Sequence, residues 1–328
     1  MTASPADTGT PPPPPTMRAI RQRALGGPEV LELVDVPLPE PAPTEVLVRV
    51  TAAGVNPVDW KTRERGGFVG EPPFTIGWDV AGIVERTGPG VTRFAAGDRV
   101  FGMPRFPREA AAYAEYLTSP SRQLARTPDA LDDVEAAALP LAGLTAWQAL
   151  VETAGVGPGM RVLVLAAAGG VGHLAVQIAK ARGAWVAGTA RTEKHAFLHE
   201  LGVDEAVDYT RDEVGTRLRE LDVVLDAVGG EVGAAALASL RDGGLLVTLV
   251  GASVASLREA GRDRVRVTGI LVEPDRYGLE ELAALVERGE LRPVVERTFP
   301  LEEASAAHEL GETGRTMGKL VLVTGRHG

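Results

Sequence analysis

From Met17 to about Leu139 the hydrophobic positions come in short runs, such as Val46 to Val50 and Val80 to Val84, set between glycine and proline turns. Short alternating or apolar runs bounded by turn residues are the signature of strands, so this half is predicted to be mostly β. After Leu139 the texture changes. Longer helical patterns alternate with apolar strands at Arg161 to Ala167, Ala184 to Thr189, Glu205 to Tyr209, Leu221 to Val228 and Gly244 to Val250. Strand–helix–strand alternation predicts a parallel sheet covered on both faces. From about Tyr277 the pattern predicts a helix over Leu279 to Glu287, a strand around Val294 to Phe299, another helix, and a closing strand at Lys319 to Val323. Periodicity does not say where that tail packs.

Residues 1 to 16, with Pro11 to Pro15 among small polar residues, favour extended polyproline over packing and are expected to be a disordered tail. The 328 residues suffice for two domains, and 45% hydrophobic with 24% charged residues excludes wholesale disorder. The net charge of -10 would repel a phosphate backbone, so no nucleic-acid partner is expected. The chain has no cysteine, which removes disulfides, thiolate zinc ligands, iron–sulfur clusters and thiol catalysis together. Its longest apolar run, Val162 to Gly172, is too short to span a bilayer, and the start lacks a secretory leader pattern. A cytoplasmic protein with no membrane partner is the expectation.

Residues 161–180 read RVLVLAAAGGVGHLAVQIAK, an apolar run, a glycine turn, then apolar positions Val171, Leu174, Ala175 and Ile178 at helical spacing. Ala167, Gly169 and Gly172 occupy the three small positions of a relaxed dinucleotide fingerprint. Small residues there let the backbone turn tightly and approach a pyrophosphate, and the helix start supplies amides to the anion. About 20 residues further on, an NAD site carries an acid for the ribose 2′-hydroxyl. Here Ala190, Arg191, Thr192 and Lys194 stand instead. Two cations suit the 2′-phosphate of NADP, so the cofactor is predicted to be NADPH.

Other signals point away from competing chemistries. His195 and His199 lie one helical turn apart without a third ligand, and Leu320 after Gly318-Lys319 breaks a phosphate-binding loop pattern. No G-x-S-x-G nucleophile segment occurs.

In chain order, the segments GGPEVLELVDVPLPEPAPTEVLVRVTAAGVNPVDWKTR, GWDVAGIVERTGPGVTRFAAGDRVFG, AAYAEY, AALPLAGLTAWQAL, AAAGGVGHLAVQIAKARGA, ELGVDEAVDY and MGKLVLV resemble the medium-chain dehydrogenase/reductase superfamily. Within it they are similar to the zinc-free quinone oxidoreductase and alkenal reductase branch. The resemblance implies an α/β protein: a GroES-like β-rich catalytic domain of residues 17–138 and 276–328, with a doubly wound Rossmann domain of residues 139–275 inserted. It further implies Ala168, Gly169, Gly170, Val171 and Gly172 at the pyrophosphate, and Arg191, Lys194 and Tyr209 at the adenosine 2′-phosphate. Thr145, Val250, Gly251 and Val272 would line the nicotinamide half, and Asn56 would face the nicotinamide ribose. Relatives commonly form homodimers through the Rossmann sheet edge, here Arg264 to Val272.

The departures matter. The zinc-dependent branch holds its metal with cysteine and a Gly-His-Glu segment, whereas this chain has Asn56 and Asp59 in NPVDWK and Gly77-Trp78-Asp79 in place of the second motif. No metal is therefore expected. Hydride is then best delivered to an activated small-molecule acceptor, a quinone or the C=C of an α,β-unsaturated carbonyl, with the protein supplying orientation and electrostatics. The catalytic candidates are Lys61, then Asn56 and Tyr113. Lys61 could instead project into solvent, and Asn56 before Pro57 could be a turn residue. Trp60 and Trp78 fit either an aromatic pocket or packing, and Tyr113 and Tyr116 alternate on one expected strand, so at most one faces the cleft. The proton donor is not identified. Alternative readings are an enoyl or polyketide-intermediate reductase and a non-catalytic NADPH-binding sensor.

Overall fold

The closing strand Lys319–Val323 leaves the half of the chain that precedes it and pairs antiparallel with Glu45–Val55, Leu320 lying opposite Val55. Its other edge pairs parallel with Val295–Pro300. The tail whose packing periodicity left open thus completes the sheet of the first half. In this computed structural model, which describes residues 15–325, that sheet has seven strands. Its path runs Val295–Pro300, Lys319–Val323, Glu45–Val55, Val80–Thr87, Arg99–Gly102 and Leu124–Arg126, with Tyr116–Pro120 also paired to Glu45–Val55. A three-stranded sheet, Glu32–Pro37, Thr16–Gln22 and Phe74–Thr75, lies beside it. All but the end of the proline-rich stretch 1–16 falls outside the described residues.

The second sheet has six parallel strands in the order Glu205–Asp208, Trp185–Ala190, Arg161–Val164, Leu221–Asp226, Leu240–Thr248 and Arg266–Gly269. Successive side chains along a strand face opposite ways, and both faces here are covered. Val162, Val164, Val186, Val223, Leu225, Leu245 and Val247 therefore join one core cluster. Leu163, Leu165, Ala187, Val224 and Leu246 join another. That is why these strands read as continuous apolar runs rather than as alternation.

The chain works outward from Arg161–Val164 to Glu205–Asp208, then returns to the other side of Arg161–Val164 with Leu221–Asp226. The order reverses beside Arg161–Val164, which is where open α/β sheets bind ligands. The strand ends at Val164, before the apolar run does, because the chain turns at Ala166 (φ 53°). There the Ala166 and Ala167 amides donate to the Thr189 hydroxyl (3.0 Å) and carbonyl (2.9 Å) of the neighbouring strand.

Candidate active site

The glycine turn sits at this reversal and leads into the helix Gly172–Ala181. A Cβ on Gly172 would stand 2.3 Å from the Ala166 carbonyl oxygen and 2.7 Å from the Ala167 Cα, so only glycine lets helix and strand meet so closely. Ala168 is buried, whereas Gly169, Gly170 and Val171 remain partly open at the crest. At the helix start the His173 amide donates to the Gly169 carbonyl (3.0 Å), and the small residues at the crest leave room for a pyrophosphate to approach the backbone. Gly251 has open space where a Cβ would be, and Val250 beside it is partly exposed. The residues present thus fit an extended dinucleotide across the ends of the strands.

At the adenosine end, exposed Arg191 donates from Nε to the Tyr209 hydroxyl at 3.2 Å, and Tyr209 is 48% exposed. Lys194 is tied down differently, donating from Nζ to the carbonyls of Arg315 (2.6 Å) and Thr316 (3.2 Å). The adjacent carboxylate of Asp208 is turned inward, accepting from the amides and hydroxyls of Thr192 and Thr210. The Thr192 and Thr210 hydroxyls hold it well below the usual carboxylate range. Its oxygens are bonded to these threonines and not to the Arg191 guanidinium, whose hydrogen-bond partner among the described residues is Tyr209. His195 and His199 contact the carbonyls of Ala190 and Val203, and among the described residues no cluster of three His, Cys, Asp or Glu could hold a metal.

Beyond Lys319 from the glycine turn, Asn56 caps the helix Pro57–Arg65 and is 1% exposed. Its Nδ2 donates to Asp79 Oδ2 at 2.8 Å, and its Oδ1 accepts from Lys319 Nζ. The same ammonium donates to the Val55 carbonyl (3.0 Å) and contacts Asp79 Oδ2 (3.4 Å). Asp79 Oδ1 accepts from the Leu141 amide at 2.7 Å. Burial pushes Asp79 upward while Lys319 pulls it down. Leu141 lies on the helix Pro140–Trp147, so the Asp79 carboxylate ties the strand region of the first sheet to that helix.

Below Asn56 runs a second network. The Asn56 amide (2.7 Å) and the Tyr113 hydroxyl (2.9 Å) both donate to Asp59 Oδ2. His308 Nε2 lies 3.2 Å from that hydroxyl, and Arg63 Nη1 lies 3.2 Å from His308 Nδ1. A guanidinium only donates, so Nδ1 accepts and the proton of the neutral imidazole resides on Nε2, pointing at Tyr113. The donors line up from Arg63 through His308 and Tyr113 to Asp59. Burial, followed by the Arg63 charge, lowers His308 to about 3. Burial pushes Asp59 up to about 7, against the pull of Asn56 and Tyr113.

The catalytic candidates are thereby redistributed. Tyr113 is fully buried and its hydroxyl is engaged on both sides, so it does not face the cleft. The expected strand register fails because regular pairing begins only at Tyr116. Tyr113 lies before it, after a left-handed Ala111 (φ 60°), with its ring against Gly77, where a Cβ would overlap it at 2.2 Å. Tyr116 packs with Met17, Ala19 and Leu47 instead. Lys61 is exposed on its helix. Trp60 packs edge-on to His308, and Trp78, 1% exposed, donates its indole N–H to the Arg108 carbonyl at 2.7 Å.

Thr145 is nearly buried and donates to the Leu141 carbonyl at 2.6 Å. One turn on, Gln148 exchanges two 2.9 Å hydrogen bonds with the backbone of Glu273, which holds the segment carrying Val272 against this helix. His173, buried one residue after Gly172, bonds the Gly169 carbonyl (2.9 Å) through Nδ1 and accepts from the Val294 amide (3.1 Å) at Nε2. Burial lowers it to about 4. Sequence reasoning passed over Lys319, Gln148 and His173. The available signal was a polar side chain inside an otherwise apolar run, most plainly Lys319 opening Lys-Leu-Val-Leu-Val.

The family profile "Alcohol dehydrogenase GroES-like domain" matches residues 42–129, and "Zinc-binding dehydrogenase" matches residues 201–322. A 2-haloacrylate reductase from a Burkholderia species is 35% identical over 326 residues, covering 91% of this chain and 96% of its own. The quinone oxidoreductase of Coxiella burnetii has the same fold at a TM-score of 0.90 and 38% identity, covering 94% of this chain and 100% of that one. The Escherichia coli quinone oxidoreductase complexed with NADPH gives a TM-score of 0.83 at 30% identity, with 94% and 100% covered. With Asn56, Asp79 and a buried Lys319 standing together in a chain that has no cysteine, these likenesses have one reading: the chain belongs to the medium-chain dehydrogenase/reductase family, in its zinc-free quinone oxidoreductase branch, and is an NAD(P)H-dependent oxidoreductase.

Proposed function

We propose that the protein uses NADPH to reduce quinones or the carbon–carbon double bond of α,β-unsaturated carbonyl compounds. The observation that carries this reading is the meeting of the glycine turn with the Asn56–Lys319–Asp79 cluster. A Cβ on Gly170 would lie 3.2 Å from the Lys319 stem. A buried ammonium at this place opposes a divalent cation, and the Asp79 oxygens are already bonded to Asn56, Leu141 and Lys319. The similarities to a 2-haloacrylate reductase and to quinone oxidoreductases support acceptors already activated toward hydride.

The bound dinucleotide supplies the hydride. The turn from Ala168 to Gly172 holds its pyrophosphate, and Arg191 with Tyr209 and Lys194 recognises the 2′-phosphate through charge-assisted bonds. Thr145, Val250, Gly251 and Val272 shape the nicotinamide half, and Asn56 faces its ribose. Negative charge then appears on the acceptor oxygen, away from the carbon that receives hydride, and donors on the cleft wall stabilise it. Exposed Lys61 is the candidate for that contact. Tyr113 supplies no proton to the acceptor, because its hydroxyl lies between Asp59 and His308, so water delivers it. The edge strand Arg266–Gly269, paired on one side only, offers a route to a homodimer.

The test mixes purified protein with NADPH or NADH and a panel of quinones, enals and enones, with and without a chelator, and follows loss of reduced-nicotinamide absorbance. Turnover with NADPH, preserved under chelator, is expected. NADPH that binds but is consumed by no acceptor would replace this reading with a sensor.

A further inference from the structure

A lysine is rarely buried, since its charge costs several kcal/mol to desolvate on the order of magnitude known for interior ions. Lys319 is 3% exposed at the start of an apolar strand, and its partners are the Val55 carbonyl, the Asn56 carboxamide oxygen and the Asp79 carboxylate. Three acceptors match the three ammonium hydrogens, so none remains for a substrate. Lys319 can influence chemistry only through what it holds. It holds Asn56 from the oxygen side while Asp79 holds the nitrogen side at 2.8 Å, which forbids the half-turn of the amide that would exchange the two.

The same residue touches the dinucleotide side of the cleft. Its stem runs beside Gly170, its amide donates to the Val294 carbonyl at 2.8 Å, and the preceding amide of Gly318 donates to the Ala168 carbonyl at 2.9 Å. Val294 is also the residue whose amide His173 accepts. One side chain therefore spans from the crest of the glycine turn to the polar face of Asn56.

Resting on the proposed function, we propose that Lys319 is a positioning residue for hydride transfer: it locks the Asn56 carboxamide and sets its place relative to the dinucleotide turn, while contributing little to how tightly the cofactor binds.

The experiment compares wild type with Lys319→Met, which keeps the stem and removes the charge, and with Lys319→Met/Asp79→Asn, which leaves no buried ion behind. Four readouts are taken: melting temperature, NADPH Kd from nicotinamide fluorescence, polarisation of the bound nicotinamide, and kcat with its deuterium isotope effect. Misplacement of reacting groups by a fraction of an ångström to an ångström lowers rate by roughly 10- to 100-fold, so that fall in kcat is expected in both variants. Kd should stay within about threefold, the isotope effect should rise as the hydride step becomes limiting, and the polarisation should drop. A kcat within about twofold of wild type, or a loss that simply follows a matching rise in Kd, overturns the proposal. Should Lys319→Met fail to fold, the double variant decides alone. Should wild type reduce no acceptor, the proposed function falls, and unchanged Kd with lost polarisation in the variants still supports the positioning role while unchanged polarisation refutes it.

Discussion

Tyr113 donates its hydroxyl proton to Asp59 at 2.9 Å in an interior from which both side chains are wholly excluded from solvent. The pair is a support for the cleft rather than part of its surface, because Asp59 in turn fixes the Asn56 amide at the start of the helix Pro57–Arg65. Removing the hydroxyl leaves the His308 Nε2 proton without that acceptor and Asp59 with the Asn56 amide as its remaining donor. Tyr113→Phe should therefore lower stability by about 1 to 3 kcal/mol, the range for an orphaned buried polar group. Urea unfolding measures it. Turnover should fall no more than a few fold, and a loss of roughly a hundredfold or more would restore Tyr113 to the chemistry.

Arg191 is exposed and its guanidinium donates, among the described residues, to a phenol alone, so it can turn to a phosphate at little cost. Arg191→Ala should weaken NADPH by about 10- to 100-fold and leave NADH within about twofold, as expected for loss of a charge-assisted pair. Fluorescence titration with both dinucleotides checks it. Equal effects on the two would mean that this side chain does not read the 2′-phosphate.

The glycine turn makes a steric prediction with an internal control. Gly172→Ala places a Cβ 2.3 Å from a backbone oxygen, so it should lose about 1 to 3 kcal/mol of stability, the usual penalty for overpacking, together with dinucleotide binding. Gly251→Ala meets open space and should be nearly neutral for stability. Paired thermal melts with and without NADPH separate the two cases.

His173 and His308 are both held neutral, at about 4 and about 3, against an ordinary value of 6.5. The unfolded chain binds their protons first, so the stability each contributes is complete above about 6.5 and is lost as pH falls toward its folded value. Asp59 works oppositely: raised to about 7 from 3.8, it favours the fold at low pH and loses that contribution as pH rises between the two values. Asp79, which burial also raises, acts in the same sense as Asp59, so the histidine share is isolated by substitution. Melting curves of wild type and His173→Asn from about 6.5 to about 4 should diverge, wild type losing more stability on acidification. An unchanged slope would mean that His173 is not protonated on unfolding.

The amino-acid sequence by itself determined the order of chemistry along the chain: five apolar strands alternating with helices, a glycine turn closing the run Arg161 to Ala167, and two cations where an NAD site would carry an acid. These are local facts. An apolar run with a glycine turn and a helical repeat states its own conformation, because steric room at Gly172 and burial on both faces act within a few residues. Gln148, His173 and Lys319 carry no such local signature.

Their meaning depends on partners 125, 121 and 263 residues away, at Glu273, Val294 and Asn56. Only the tertiary structure brings the last strand against Glu45–Val55, and with it a buried ammonium onto Asn56 and Asp79. The same long-range packing drew Tyr113 inside, where strand alternation would have left it a place in the cleft. Hydrogen bonds and desolvation act through space, and a one-dimensional pattern records them only as an unexplained charge among apolar neighbours.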